Sequence, residues 1–361
     1  LTGIAAQYCA NATVWPQLQQ LNGVADPRRL QPGKRLTIPL KLLKNSPAET
    51  EVLLVNGQAV RRAAAGGMET ALTTGARLST GDTLRVGPGS NVTLRFPDGS
   101  RLLVLENSKL ILTRAIRRGG SDLYRIQVEL LEGSVDSRVM PLKGRGGQYE
   151  IKAPALRMAV RGTEFRVTTV DGRMRTETLS GEVALRNGRG ETRLPAATGA
   201  EASAGEAPGK AVSLLPAPNV DALPETIDRV PFRLPIAPIE GALRYRTQIA
   251  PQQGFTVLES DRVAEDASAL GSASLADGRY RMRVRGIDSE GLEGLSAERE
   301  IVVDARPEPP FPSTPAPDGF AVDEKIVFRW AHVPGAQAYH FQLAGDDRFS
   351  SPIVTLDAGD E

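Results

Sequence analysis

Few residues in this chain are of the types that do polar chemistry, and they are far apart. There is one cysteine, Cys9, and there are two histidines, His332 and His340. A zinc site takes three or four Cys, His or carboxylate ligands, and a Cys–His or Ser–His pair would have to draw on those same two histidines. A single cysteine allows no disulfide within the chain. Asp346 and Asp347, near His340, have metal-ligand types, but Gly345-Asp346-Asp347-Arg348 reads more simply as a turn. Arg161 and Glu164 invite an acid–base reading, with the arginine shifting the carboxyl. The stronger alternative is structural: Gly162 permits a tight bend and Arg161 pairs with a carboxylate to join two β layers. A glycosidase would need two carboxylates about 5–9 Å apart, and no pair stands out. The expectation is a non-enzyme with no catalytic residue, no cofactor and no metal.

Composition narrows the classes further. The 361 residues carry 44 Lys and Arg against 43 Asp and Glu, for a formal net charge of +1. That balance removes the bulk electrostatic reason to expect nucleic acid or an anionic membrane as partner. Glycine (36) and proline (26) are frequent, which argues for turns and against a helical bundle. No apolar run approaches the ~18 residues of a membrane span. Residues Val52 to Arg186 hold 21 basic and 13 acidic residues. Their arginines, spread over many strands, read as solvated faces, although a basic face could meet an anionic polymer such as peptidoglycan stem carboxylates. Sparse cysteine suits an exported bacterial protein as well as a cytosolic one. No signal peptide is visible, and the chain starts inside a helical pattern, so further residues are expected upstream.

Ile4, Ala5 and Tyr8, then Val14, Leu18 and Leu21, recur at helical spacing in two short blocks. Asn11 and Thr13 are cap residues for the second helix, Pro16 lies in its first turn, and Asn22-Gly23 ends it. Arg35-Leu36-Thr37-Ile38 alternates like a short strand, stopped by Pro39. The stretch from Trp15 to Gly23, with Asp26-Pro27-Arg28-Arg29-Leu30-Gln31-Pro32-Gly33-Lys34-Arg35-Leu36-Thr37-Ile38-Pro39, resembles the second half of a LysM module. The resemblance implies a βααβ fold that binds N-acetylglucosamine glycans such as peptidoglycan in a shallow groove. The matching loop here carries Asn22, Val24, Asp26, Pro27, Arg28, Leu30 and Gln31; the first strand would precede Leu1. Trp15 reads as a core residue between the helices rather than a sugar platform.

From Val52 the texture becomes strands and tight turns. Val92–Phe96 and Arg101–Leu105 read as a hairpin across Pro97-Asp98-Gly99-Ser100. Strands follow at Tyr124–Leu131, Gly133–Val139, Tyr149–Ala153, Thr163–Thr169, Thr176–Leu179 and Glu182–Arg186, the spacing of a sandwich, roll or short solenoid. The segments Leu78–Ser90, Leu94–Ser100, Leu131-Glu132-Gly133-Ser134-Val135 and Ala159-Val160-Arg161-Gly162-Thr163-Glu164-Phe165-Arg166-Val167 resemble the FecR domain. That family includes periplasmic regions of anti-sigma regulators. Arg161, Gly162, Thr163, Glu164 and Phe165 form its structural motif.

Residues 188–228, rich in Gly, Ala, Pro and Glu, read as a linker. Beyond them Gly241-Ala242, Tyr245, Gln248, Ala250 and Phe255 recur as Gly335-Ala336, Tyr339, Gln342, Ala344 and Phe349 at a constant offset. With Asp277-Gly278-Arg279-Tyr280-Arg281-Met282-Arg283-Val284-Arg285, the first unit resembles a fibronectin type III-like sandwich. The second unit, with Trp330 in its core, stops after about half a domain.

The expected architecture is therefore mainly β and multidomain: a LysM-like α/β N-terminus (1–40) lacking its first strand, an all-β FecR-like block (51–187), a linker (188–228), a fibronectin III-like sandwich (229–304) and a partial second repeat (312–361). The resemblances imply a scaffold in the periplasm or on the surface of a Gram-negative bacterium. Its partners would be peptidoglycan or a similar glycan, and a membrane sensor protein or a second copy of itself. A self-assembling surface protein is the alternative, and a cell-wall glycan enzyme a distant third.

Overall fold

The computed structural model describes residues 1–361 apart from 142–146, 155, 161, 233–235, 252–253, 266–274, 308–309, 316–318, 320–324, 347–348, 350 and 360–361. Sheets dominate, as apolar alternation between glycine-marked turns requires. Strands from Asn45–Pro47 to Val212–Ser213 close into a barrel. Leu94, Leu102, Leu112, Ile126, Tyr149 and Phe165 are among the side chains filling its interior, each contributing roughly 1.5–3 kcal/mol by burial. Phe96 meets Tyr149 edge to face at 5.5 Å.

The expected hairpin forms between Asn91–Arg95 and Arg101–Val104. Asp98 fixes its turn by accepting from the Ser100 backbone N–H and hydroxyl, both at 2.9 Å. The two strands expected on either side of Leu131–Gly133 are instead one, Leu123–Arg138. Its first part pairs antiparallel with Lys109–Arg118 and parallel with Gln148–Lys152; its second part pairs with Arg101–Val104 and Glu164–Val170. Gly133 is the corner between the two sheets. Its φ is +90°, and a Cβ there would lie 2.4 Å from the Ser108 Cα. Strands that pass from one sheet to the other remove free edges, so the two sheets of the block close into a barrel.

The barrel also extends past its expected end at 187. Residues 188–228 are not simply a linker. Gly190–Pro195 pairs with Glu182–Asn187, and Thr198–Ser203 pairs with Arg173–Ser180. Leu194, Ala200 and Ala202 enter the barrel core. Alanines with glycine between them have the composition of a linker, yet they fit where inward space is narrow.

At the N-terminus, helices α1 (Thr2–Tyr8) and α2 (Trp15–Leu21) flank a 3-10 turn at Ala12–Val14. The Asn11 side chain caps that turn, accepting from the Thr13 N–H at 2.9 Å, and not α2 as expected, which starts after Val14 without a side-chain cap. Ala5, Cys9 and Leu18 form a small core with Val14, Trp15, Ile38 and Leu42 packed on it, so Trp15 is a core residue. Arg35–Ile38 is not a strand. A strand needs a ladder partner, and here the Asn22 side chain takes that place: it accepts from the Thr37 N–H (2.6 Å) and donates to the Thr37 carbonyl (2.9 Å). The module is tied to the barrel by backbone bonds from Lys44 N to Tyr8 O (2.9 Å) and from Gly119 N to Lys44 O (2.8 Å).

After the barrel, Thr226–Ile227, Ala297–Val303, Gly278–Ile287, Arg244–Pro251 and Ser260–Ala264 lie side by side in that order. Among the described residues these strands form one five-stranded sheet. Val220, Leu223, Phe232 and Ile236 pack on its apolar face. The internal repeat is conserved down to a hydrogen bond. The Tyr245 hydroxyl accepts from Ile239 N (2.7 Å), and the Tyr339 hydroxyl accepts from Val333 N (2.9 Å). Both turns hold a left-handed glycine, Gly241 and Gly335. Among the described residues the second unit holds two antiparallel strand pairs, and Trp330 is half-buried and stacks on Phe341.

Candidate functional site

The loop after α2 is built from its first residue. Asn22 caps the helix by donating to Leu18 O at 2.8 Å in addition to its two bonds with Thr37. Gly23, at φ +55°, turns the chain away, and Val24 is buried, its N–H bonded to Gln19 O at 3.1 Å. Asp26 accepts from Arg28 N at 2.8 Å, and Pro27 O accepts from the Leu1 ammonium at 2.8 Å. Arg28 and Gln31 are exposed and Leu30 is half-buried. The seven expected residues thus divide by task. Asn22 and Val24 hold the loop, Asp26 and Pro27 shape it, and Arg28, Leu30 and Gln31 face outward. That surface offers amide and guanidinium donors and an apolar contact, which suit hydroxyl and acetamido groups. It contains no activated nucleophile: Cys9 is buried in the small core, and burial pushes its thiol up.

The Arg161–Phe165 motif does no visible chemistry. Arg161 lies outside the described residues. Gly162, at φ +65°, turns the chain between Arg157–Val160 in one sheet and Glu164–Val170 in the other. Thr163 is buried and its carbonyl accepts from Val139 N at 2.9 Å. Glu164 pairs at the surface with Arg138 at 2.8 Å, and Phe165 is core. In the second repeat, Asp347 lies outside the described residues, and the His340 imidazole pairs with Asp357. Among the described residues, no group of three or more His, Cys, Asp or Glu could hold a metal ion.

The most concentrated chemistry, which sequence spacing did not single out, is a buried charge network between the barrel and the five-stranded sheet. From the barrel, Arg166 donates to the carbonyls of Glu293 and Gly294, both at 2.7 Å, and Asp136 pairs with Arg283. From the sheet, Arg246 clamps Asp261 with two bonds of 2.7 Å and reaches Glu293 with a third, while Arg285 also pairs with Glu293. Gln248 accepts from Arg283 (2.6 Å) and Arg285 (3.0 Å). Burial pushes the Glu293 carboxyl up, but Arg285, Arg246 and Arg166 outweigh it and hold it well below the usual range. Glu177 behaves oppositely. Burial and the Glu293 charge raise it to about 7 against the pull of Arg166, whose Nε stays 3.8 Å away. A polar and apolar margin continues the contact: Asn91 exchanges two bonds with Leu258 (2.9 and 3.0 Å), and Leu103 and Leu105 pack against Ala250 and Leu258. The available signal was Arg281, Arg283 and Arg285 alternating with Met282 and Val284, which marks a strand with one apolar and one charged face.

Comparison with known proteins divides the chain in the same way. The model of the LysM domain matches residues 1–39, and the model described as FecR protein matches residues 82–184. Residues 1–39 are thus similar to a LysM domain and residues 82–184 to a FecR domain. The candidate loop lies in the first and the Arg161–Phe165 motif in the second. No curated protein matches the chain. Two crystal structures of a protein described as an anti-sigma factor from Parabacteroides distasonis ATCC 8503 are similar at 20% and 18% identity, with TM-scores of 0.30 and 0.29. Each match covers 36% of this chain and 57% of the other, so the chain spans little more than half the length of those proteins. No helix among the described residues is long and apolar enough to cross a membrane.

Proposed function

We propose that this chain is a non-enzymatic protein of the bacterial envelope. It attaches to peptidoglycan, or to another N-acetylglucosamine glycan, through the loop Val24–Gln31, and its β domains form a platform for envelope signalling. The observation that carries this reading is the LysM domain at residues 1–39 with Arg28, Leu30 and Gln31 turned outward. The FecR domain supports the signalling part, with a membrane sensor protein or a second copy as the partner. The repeated tyrosine–backbone bond supports a fibronectin type III-like spacer role for the C-terminal units. The place of action is the periplasm or cell surface of a Gram-negative bacterium. The test is sedimentation of the full chain with intact peptidoglycan sacculi. The wild type is expected to pellet with them, and Arg28→Ala/Gln31→Ala to pellet several-fold less; a wild type left in the supernatant refutes the reading.

A second reading, self-assembly, is favoured by one observation. Ile353 is 71% exposed and Leu356 is 55% exposed on a two-stranded hairpin, an edge of the kind that pairs with other chains. Light scattering that gives one monomer mass over a wide concentration range would remove it.

A further inference from the structure

One face of the barrel gathers three arginines. In the antiparallel pair of Lys109–Arg118 with Leu123–Arg138, Arg118 stands opposite Leu123, Ile116 opposite Arg125 and Arg114 opposite Gln127. Alternate residues share a face, so Arg125 sits diagonally between Arg114 and Arg118, at a separation of about 7–8 Å that long side chains bridge. All three are half-buried. Among the described residues none of the three forms a salt bridge. Their neighbour Arg117, by contrast, is held by the Ser121 carbonyl at 2.8 Å and by Asp122 at 3.8 Å. The Nε atoms of Arg118 and Arg125 are buried without a hydrogen-bond partner. Glu150 lies on the same face but opposite Gln127, which donates to it at 2.9 Å. It is two strand spacings, roughly 10 Å, from Arg114 but diagonal to Arg125, as Glu129 is to Arg114 on the same face. Burial lowers the proton affinity of Arg118, and the charges of Arg125 and Arg114 lower it further. Like charges side by side are unfavourable unless an anion sits among them.

The position of this face suggests which anion. Asn45, at the exit of the LysM domain, is paired opposite Arg118. Lys44 is bonded to Tyr8 at one end of α1, and Pro27 in the glycan loop is bonded to Leu1 at the other. A helix of seven residues is about 10 Å long. A short peptide of four or five residues, extended, spans roughly 15 Å, enough to run from the loop to the arginines. Guanidinium groups bind carboxylates through paired N–H donors.

We propose that Arg114, Arg118 and Arg125 form a carboxylate-binding site for the stem peptides of the peptidoglycan strand whose sugars the Val24–Gln31 loop holds. This rests on the glycan reading above and adds a second point of attachment, specific for the acidic peptide rather than the sugar. The test uses the full chain, with Arg118→Gln/Arg125→Gln as the variant, on three probes: chitin, which has the sugar without the peptide; native sacculi; and sacculi whose stem carboxylates have been amidated. Two surface ion pairs together change affinity by about tenfold. The variant is expected to bind native sacculi about tenfold more weakly while holding chitin as the wild type does. Amidation is expected to bring the wild type down to the variant's level and to leave the variant unchanged. Equal affinity of the two proteins for native sacculi overturns the proposal, as does a difference between them that persists on amidated sacculi. If the wild type ignores chitin yet shows the arginine-dependent, amidation-sensitive binding, the glycan reading falls and the carboxylate site stands.

Discussion

Glu177 and Glu293 are the same residue type in one buried network, and their surroundings push them in opposite directions. Three arginines converge on Glu293, whereas Glu177 receives one N–H at 3.1 Å, from Glu293 itself, and a distant arginine. A folded-state value of about 7 against an ordinary 4.5 means the folded protein binds a proton that the unfolded chain has released. The Glu177 contribution is therefore full below pH 4.5 and is lost as pH rises through 7, by about 3 kcal/mol in all. Glu293 works the other way, its contribution being lost only as pH falls below the ordinary carboxylate range. Glu177→Gln keeps an oxygen for the Glu293 N–H and removes the titration. Denaturant melts of the two proteins are expected to converge near pH 4.5, with the variant gaining relative stability up to about pH 8. A difference that stays constant with pH would show that Glu177 does not titrate in this window.

Single strands and turns were largely legible, because a two-residue alternation bounded by Pro97-Asp98-Gly99 has few other solutions. What spacing could not give was a strand that belongs to two sheets. Leu123–Arg138 reads as two strands because Glu132-Gly133 looks like a turn, and only its neighbours reveal it as a corner. Gly133→Ala tests this element. The left-handed φ and the approach to the Ser108 backbone leave no room for a Cβ, so the barrel should lose about 2 kcal/mol or more. Gly172→Ala, at a turn with nothing within 4 Å, should lose only the conformational part, about 1–2 kcal/mol. Thermal melts that shift equally for both would sink the corner assignment.

For the molecule as a whole, the buried charges fix how the barrel and the sheet sit against each other more than they stabilise either. Desolvating two charges costs much of what their attraction returns. Removing one partner alone leaves the other buried and unpaired. Asp136→Leu or Arg283→Leu should each cost about 3–5 kcal/mol, and the double substitution less than either. Unfolding measured by intrinsic fluorescence would check this, and additive losses would mean that the pair is not coupled. A contact fixed in this way holds the barrel and the five-stranded sheet in one orientation, which a flexible linker at 188–228 would not.

The sequence by itself determined the β class, the two domain resemblances, the end of α2 at Asn22, and the repeat of Tyr245 at Tyr339. Each of these is written in local spacing or in turn residues that admit few backbone conformations. The tertiary structure alone decided that the barrel closes and takes in residues called linker by composition, and that Asp136, Arg166 and Glu177 meet Arg246, Arg283 and Glu293. Those outcomes depend on which distant surfaces come together, and burial changes the energy of a charge by far more than any propensity carried by its own segment.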